Sequence, residues 1–205
     1  MARTLWVVLA LVLIAVGAYL FLNRSVHAPG VPGLSGEQTT YTDSTGVFTL
    51  TFPSDFTVVE GSPEPGPGWS APASTEGVTL AKITVPSSYA KGTNFADAMF
   101  TVGTSADSTA LASCLKNLSG SVATTTVTIG DTTFTKLEFQ GAAAGNRYDT
   151  TSYRAVRGSQ CWAVEYTIHY SVIQNYPAGT REFDETMLAA TLDTVVHSFH
   201  FLPLH

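Results

Sequence analysis

Apolar and polar residues alternate along most of the chain beyond residue 40, a pattern typical of β-strands with one buried face. The clearest example is Gly46-Val47-Phe48-Thr49-Leu50-Thr51-Phe52, which ends at Pro53. Similar patterns predict strands at 56–59, 78–85, 98–103, 127–129, 133–139, 147–157 and 160–170. Gly130-Asp131 and Gly158-Ser159 separate the last four of these strands in pairs and predict two β-hairpins.

In two segments the apolar residues recur at the spacing of an α-helix. Within 105–118 we predict a helix capped by Ser105, because apolar residues recur at i, i+3, i+4 and i+7, at Leu111, Cys114, Leu115 and Leu118. Within 181–197 a second stripe predicts a longer helix, formed by Phe183, Leu188, Leu192, Val195 and Phe199. A last short strand is expected at Phe199 to Phe201. This order of strands, helix, hairpins and helix predicts an α+β fold, an antiparallel sheet with helices on its faces.

The N-terminal segment has the composition of a membrane anchor. Residues 4–22 contain no charged residue and approach the ~20 residues that span a bilayer as a helix. The apolar run continues past Val16-Gly17-Ala18, the weak candidate for signal cleavage, so we expect an uncleaved transmembrane helix rather than a cleaved signal.

The predicted organisation therefore has three parts: a membrane anchor or signal segment at 1–24, a flexible tether at 25–39 and an extracytoplasmic domain at 40–205. The protein is expected to be a single-pass protein of the cell membrane with its C-terminal domain on the extracytoplasmic side. It is secreted instead if the N-terminal segment is cleaved.

Charge excludes two kinds of partner. The formal net charge is −6 and only 13% of residues are charged, against roughly 25% in an average soluble protein. Nucleic-acid backbones and anionic lipid surfaces both attract clustered Lys and Arg, and the sequence contains no such cluster. We therefore expect no nucleic-acid binding, and a membrane contact made through residues 4–22.

Two motifs resemble PsbP-like domains. The segment from Gly46 to Phe56 is similar to the opening G-F-x-[LIV]-x-[YF]-P-x-x-[WF] hairpin of that family, with Phe56 where many members have Trp. The ending, a helix followed by Ser198-Phe199-His200-Phe201, is similar to the family's last helix and strand. The resemblance implies an α-β-α sandwich, exported and often on a single anchor in bacteria. It implies binding or assembly roles and no shared catalytic residues.

The chain has two cysteines, Cys114 and Cys161, which we expect to form a disulfide if the domain is exported. The alternative is two buried free thiols. On the 160–170 strand, Cys161 and Glu165 share one face and Trp162 the other. A disulfide would place the helix containing Cys114 on the Cys161 face, and the C-terminal helix would then cover the Trp162 face.

One group of polar residues is a candidate ligand-binding site. A two-residue turn at Gly158-Ser159 makes Arg154 a diagonal neighbour of Glu165 and places Tyr148 opposite His169. All four side chains then lie on one surface, where a polar groove would bind a small polar ligand or a peptide. The alternative is a solvated sheet face with an ordinary charge pair.

Two classes of function remain. The first is a membrane-anchored extracytoplasmic binding or assembly module without catalytic activity, with a protein partner outside the membrane. The second is an extracytoplasmic enzyme or small-ligand-binding protein with its site around Glu165 and His169. Ser113 to Lys116 matches S-x-x-K but lacks the S-D-N and K-T-G partner motifs of serine acyltransferases. We therefore assign no catalytic residue, cofactor or metal.

Overall fold

The computed structural model describes residues 36–61, 69–70, 76–118 and 120–203. The predicted anchor and most of the predicted tether lie outside the described residues. Residues 38 and 39, which were placed at the end of the tether, belong to the first strand. No helix in the described part of the chain is both long and apolar enough to cross a membrane.

The described residues form strands and two α-helices in an order close to the predicted one. The strands are β1 Gln38–Thr42, β2 Phe48–Pro53, β3 Thr57–Glu60, β4 Val78–Thr84, β5 Phe95–Ser105, β6 Ser121–Ile129, β7 Thr132–Ala143, β8 Asn146–Arg157, β9 Gln160–Ser171 and β10 His200–Phe201. The helices are α1 Ser108–Ser113 and α2 Glu185–His197, with one 3-10 turn at Ile173–Asn175. The α+β class is confirmed.

The strands form two antiparallel sheets rather than the one predicted. A large sheet has seven strands in the order β3-β4-β5-β9-β8-β7-β6, and a small sheet has the order β1-β2-β10. In the small sheet, β2 pairs with β1 over five residues and with β10 at His200–Thr49 and Phe201–Phe48. The prediction of a single sheet was wrong because β2 pairs with β1, whose residues 38 and 39 were assigned to the tether, and with β10, which lies far along the chain and which local periodicity cannot identify as a partner.

Both predicted hairpins are confirmed, and the second has the predicted register. Across β8 and β9, Arg154 pairs with Ala163 and Tyr148 pairs with His169. The turn between these strands contains Gly158 with a φ of +61°, a backbone conformation that glycine adopts without steric cost.

The main core lies on the Trp162 face of the large sheet. Strand β2 and helix α2 pack against this face and fill the core. The sequence predicted that the C-terminal helix would cover it. The central buried side chains are Phe48, Leu50, Phe52, Trp162, Val164, Ile168, Leu188, Leu192 and Val195. Helix α2 is also tied to this face by polar contacts, because the hydroxyls of Tyr153 and Tyr166 each donate to Asp193 Oδ1 at 2.8 Å.

The other face of the large sheet carries a smaller core, which contains Trp69, Ala110, Cys114, Cys161 and Ala163. Cys114 and Cys161 form the predicted disulfide, with their Cα atoms 5.6 Å apart. Helix α1 therefore lies on the Cys161 face, as predicted.

The predicted length of the first helix, 105–118, was wrong. Ser105 does not cap it, because Ser105 still pairs with Cys161 as the last residue of β5. Asp107 caps α1 instead and accepts hydrogen bonds from the backbone N–H groups of Thr109 at 2.7 Å and Ala110 at 3.2 Å. The helix ends before Leu115, which is 48% exposed.

We expect the Cys114→Ala/Cys161→Ala variant to unfold more easily than the natural protein. The disulfide closes a loop with a sequence separation of 47 residues, and the chain-entropy model gives about 4 kcal/mol for a loop of that length. Urea unfolding of both proteins under oxidising conditions measures the difference. A difference below about 1 kcal/mol would show that the buried cysteines contribute by packing and that the cross-link adds little.

Candidate functional site

The four predicted site residues form two separate pairs. Arg154 and Glu165 lie together near the middle of the large sheet, and Tyr148 and His169 lie together near one end of it. Glu165 and His169 are four positions apart on β9, which corresponds to about 13 Å at the rise of a β-strand. The two pairs share a face, as predicted, but do not build one compact site.

Arg154 and Glu165 form a buried ion pair. The Arg154 Nη2 and Glu165 Oε2 atoms are 4.0 Å apart, and the side chains are 0% and 7% exposed. Ser70 donates to Glu165 Oε1 from both its backbone N–H and its hydroxyl, each at 2.9 Å. Arg154 Nη2 in turn donates to the backbone carbonyl of Ser70, and its Nε donates to the hydroxyl of Ser152 at 3.1 Å.

Trp69 covers the guanidinium of this pair. The Arg154 Cζ atom is 5.0 Å from the centroid of the Trp69 ring, within the range of a cation–π contact. Trp69 is itself buried. The pair is thus neither an open groove nor a solvated surface pair, the two alternatives that the sequence left. Its role in ligand binding stays a prediction.

Burial shifts the pKa values of both residues of the pair. Desolvation raises the pKa of Glu165, although hydrogen bonds from Ser152 and Ser70 and the charge of Arg154 act in the opposite direction. Desolvation also lowers the pKa of Arg154 to about 10, against the effect of Glu165. Within the described part of the chain, Arg154 Nη1 and Trp69 Nε1 are buried without a hydrogen-bond partner. Both pKa shifts disfavour the charged forms, which is the direction expected where burial removes hydration.

The second pair is more accessible. The rings of Tyr148 and His169 are stacked, with centroids 4.3 Å apart and planes 11° from parallel. His169 Nδ1 is 2.9 Å from Asp97 Oδ2, and His169 Nε2 is 3.2 Å from Asn146 Oδ1. Both ring nitrogens of His169 thus lie within hydrogen-bond distance of side-chain oxygens.

A cleft that the sequence analysis did not predict lies between the two sheets, beside the turn that joins β8 and β9. Its volume is about 440 Å³, within the roughly 300–1,000 Å³ of small-molecule sites. Four apolar side chains line it together with polar residues and one glycine: Val47, Val78, Leu80 and Trp162, with Thr45, Thr104, Arg157, Gly158, Ser159 and Gln160.

Arg157 is the charged residue of this cleft. Its Nη2 donates to the carbonyl of Leu202 at 3.1 Å, and its Cζ lies 4.3 Å from the centroid of Phe201. No ion pair joins Arg157 to an acidic group in the described part of the chain. One signal was available in the sequence, since Arg157 is a cation at the end of the apolar row that Tyr153 and Ala155 begin on β8.

Comparisons with known proteins find similarity only among solved structures. No family model matches the chain, and no curated protein matches it. A structure from Bacteroides thetaiotaomicron has 12% sequence identity and a TM-score of 0.43. The alignment covers 82% of this chain and 49% of that one, so this chain spans about half the length of the Bacteroides protein.

Two other solved structures match over most of their own length. Cyanobacterial PsbP (CyanoP) from Synechocystis sp. PCC 6803 has 10% identity and a TM-score of 0.43, with 87% of this chain and 98% of that one aligned. LpqN, described as involved in cell envelope biogenesis of Mycobacterium tuberculosis, has 12% identity and a TM-score of 0.42, with 82% and 91% aligned. A PsbP structure is thus among those similar to this chain, as the sequence resemblance predicted.

We expect Arg154→Met to lower the free energy of unfolding by about 3–5 kcal/mol, because it leaves the buried carboxylate of Glu165 without its cation. The double variant Arg154→Met/Glu165→Met should recover much of this loss, since it removes both desolvated charges. Urea unfolding measures both. Lys136→Met is the control, because Lys136 and Glu138 form a more exposed pair whose loss is expected to cost less than about 1 kcal/mol. A double variant as unstable as Arg154→Met would contradict this account.

Proposed function

We propose that this chain is an extracytoplasmic binding module, held at the membrane by residues 4–22, that performs no catalysis itself. The observation that carries the proposal is the cleft between the two sheets. Val47, Leu80 and Trp162 give it apolar walls, and a few polar groups stand at its rim. This combination of an apolar wall with few oriented polar groups is typical of sites that bind small molecules.

The disulfide supports the proposed compartment. Cys114 and Cys161 are both buried, and disulfides of this structural kind persist in oxidising compartments outside the cytoplasm. The apolar run at residues 4–22 supports attachment to the membrane from that side.

An assembly role is the second candidate, and the edge of the large sheet favours it. Strand β6 is the last strand of that sheet, its sequence SVATTTVTI carries no charge, and Val122 is 60% exposed. Uncharged edge strands present free backbone groups to which another chain can add a strand. A protein partner outside the membrane would bind most simply there.

The enzymatic alternative around Glu165 and His169 has less support. The carboxylate of Glu165 is occupied by Ser70, and about 13 Å of β-strand separates Glu165 from His169. The pair formed by His169 and Asp97 is the part of that alternative that remains accessible to a ligand.

We expect both cysteines to be oxidised in intact cells. Alkylation of acid-quenched cells in denaturant without a reductant should leave Cys114 and Cys161 unmodified, and alkylation after reduction should modify both, which a mass-shift gel measures. Cys161→Ala is the control, since it frees Cys114. Modification of both thiols before reduction would place the domain in a reducing compartment and contradict the proposal.

We expect the full-length protein to retain a small molecule in the cleft when it is extracted from its native membrane. Native mass spectrometry should detect the bound mass, and Val78→Asp should remove it, because Val78 lines the cleft and the new carboxylate would be placed against an apolar ligand. Val122→Asp is the matched control, since Val78 and Val122 are 53% and 60% exposed.

The same two variants separate the candidate functions. A bound mass that neither variant affects would count against the cleft. A protein partner that is lost only in Val122→Asp would instead support assembly at the edge strand β6.

A further inference from the structure

We infer that the cleft between the two sheets binds a single-chain amphiphile with an anionic head, with the head at Arg157 and the chain along the apolar walls. This inference rests on the proposed function, because it assumes that the cleft is the binding site. It adds the chemical class of the ligand and the residue that recognises it.

The walls of the cleft fit an apolar chain. Val47 precedes β2 of the small sheet, Leu80 lies on β4 of the large sheet and Trp162 lies on β9, and all three line the cleft. Val78 adds an apolar surface that is more than half exposed. A ligand chain that covers these side chains removes apolar area from water on both partners, and this burial is the main source of affinity in such sites.

Arg157 provides a place for an anion. Its contacts with Leu202 and the ring of Phe201 hold the guanidinium in position, and no ion pair within the described residues neutralises it. Its Nη1 is buried and has no hydrogen-bond partner among those residues. Guanidinium groups attract carboxylates and phosphates, so an anionic head in the cleft would supply the opposite charge that Arg157 lacks.

Neighbouring charges favour one orientation of the ligand. An adjoining groove shares Val78, Thr104 and Gln160 with the cleft and carries the carboxyl groups of Glu76 and Asp107. An anionic head is repelled from that side and attracted to the Arg157 side. Uncharged groups at the rim, such as the Ser159 hydroxyl, can hydrogen-bond to the head without opposing its charge.

The occupant is a dissolved amphiphile rather than a lipid in a bilayer surface. The chain has no cluster of Lys and Arg with which to dock on anionic lipid. A cleft of about 440 Å³ has the size of a small-molecule site, whereas bilayer binding needs a broad apolar or basic surface.

The test uses the full-length protein in nanodiscs of zwitterionic lipid and three probes that share one chain length: decanoate, decanol and decyltrimethylammonium. Binding is followed by the change in Trp162 fluorescence, and Trp162→Phe identifies the signal. We expect decanoate to bind most tightly, decanol more weakly and the cation weakest. Arg157→Gln should weaken decanoate roughly tenfold to hundredfold, the range for a hydrogen bond to a charged group, and leave decanol unchanged.

Two further variants complete the test. Arg147→Gln removes an exposed arginine at the other end of the same strand and should leave decanoate binding unchanged. Arg157→Lys keeps the charge without the paired donors and should weaken decanoate binding less than Arg157→Gln does. If loss of the Leu202 contact unfolds Arg157→Gln, Arg157→Lys is used in its place.

The outcomes separate the inference from the proposed function. Equal affinities for decanol and decanoate would overturn the inference that Arg157 recognises the anionic head. Decanoate binding that Arg157→Gln leaves unchanged would do the same. In both cases the cleft would remain a binding site. Binding only to vesicles containing phosphatidylglycerol would replace the dissolved ligand with a membrane surface and overturn the inference. The protein could also bind none of the probes yet retain a native ligand that Val78→Asp removes. That result would overturn the inference that the ligand is an amphiphile and would leave the proposed binding function in place.

Discussion

Pairing of strand β9 on both of its edges is the constraint on which the rest of the structure depends. β9 pairs with β5 on one side and with β8 on the other over almost its whole length, so its backbone groups are satisfied and its register is fixed. Since side chains alternate with a period of two, a shift of one residue would exchange the two faces. This register sends Trp162 into the main core and the cleft wall, and sends Cys161 and Glu165 to the opposite face.

The buried ion pair on that opposite face carries a desolvation cost that apolar side chains in the same place would avoid. Burial shifts the pKa values of Arg154 and Glu165 in the directions that disfavour their charged forms, and apolar replacements of such pairs are often more stable. Our hypothesis is that the pair fixes the position of a neighbouring segment rather than adding stability. Both charges bond to Ser70, and Trp69 packs over Arg154, so these contacts determine where residues 69–70 lie on the sheet. An apolar face would accept that segment in many positions.

The sequence could predict what depends on neighbours along the chain. The β8–β9 register, the face that α2 covers and the Cys114–Cys161 disulfide all followed from periodicity, turn residues and the compartment. The pairing of β10 with β2 in the small sheet could not be predicted, since Phe48 and Phe201 are far apart in sequence, whereas β1 was missed because its sequence QTTYT lacks an apolar alternation. The burial of Arg154 was missed because Trp69 comes from a distant proline-rich segment that carries no periodic pattern.

The cleft is a consequence of the same long-range pairing that sequence analysis missed. One side is formed by Thr45 and Val47 before β2 and the other by strands of the large sheet, so no single segment carries its signature. In the proposed function Arg157 would have two roles that do not compete. Its Nη2 and the face of its guanidinium join the large sheet to Leu202 and Phe201, which restrains the group. Such restraint at the edge of an apolar cleft would lower the entropy lost when an anion binds, so a contact that holds the two sheets together would also prepare the cleft for a ligand.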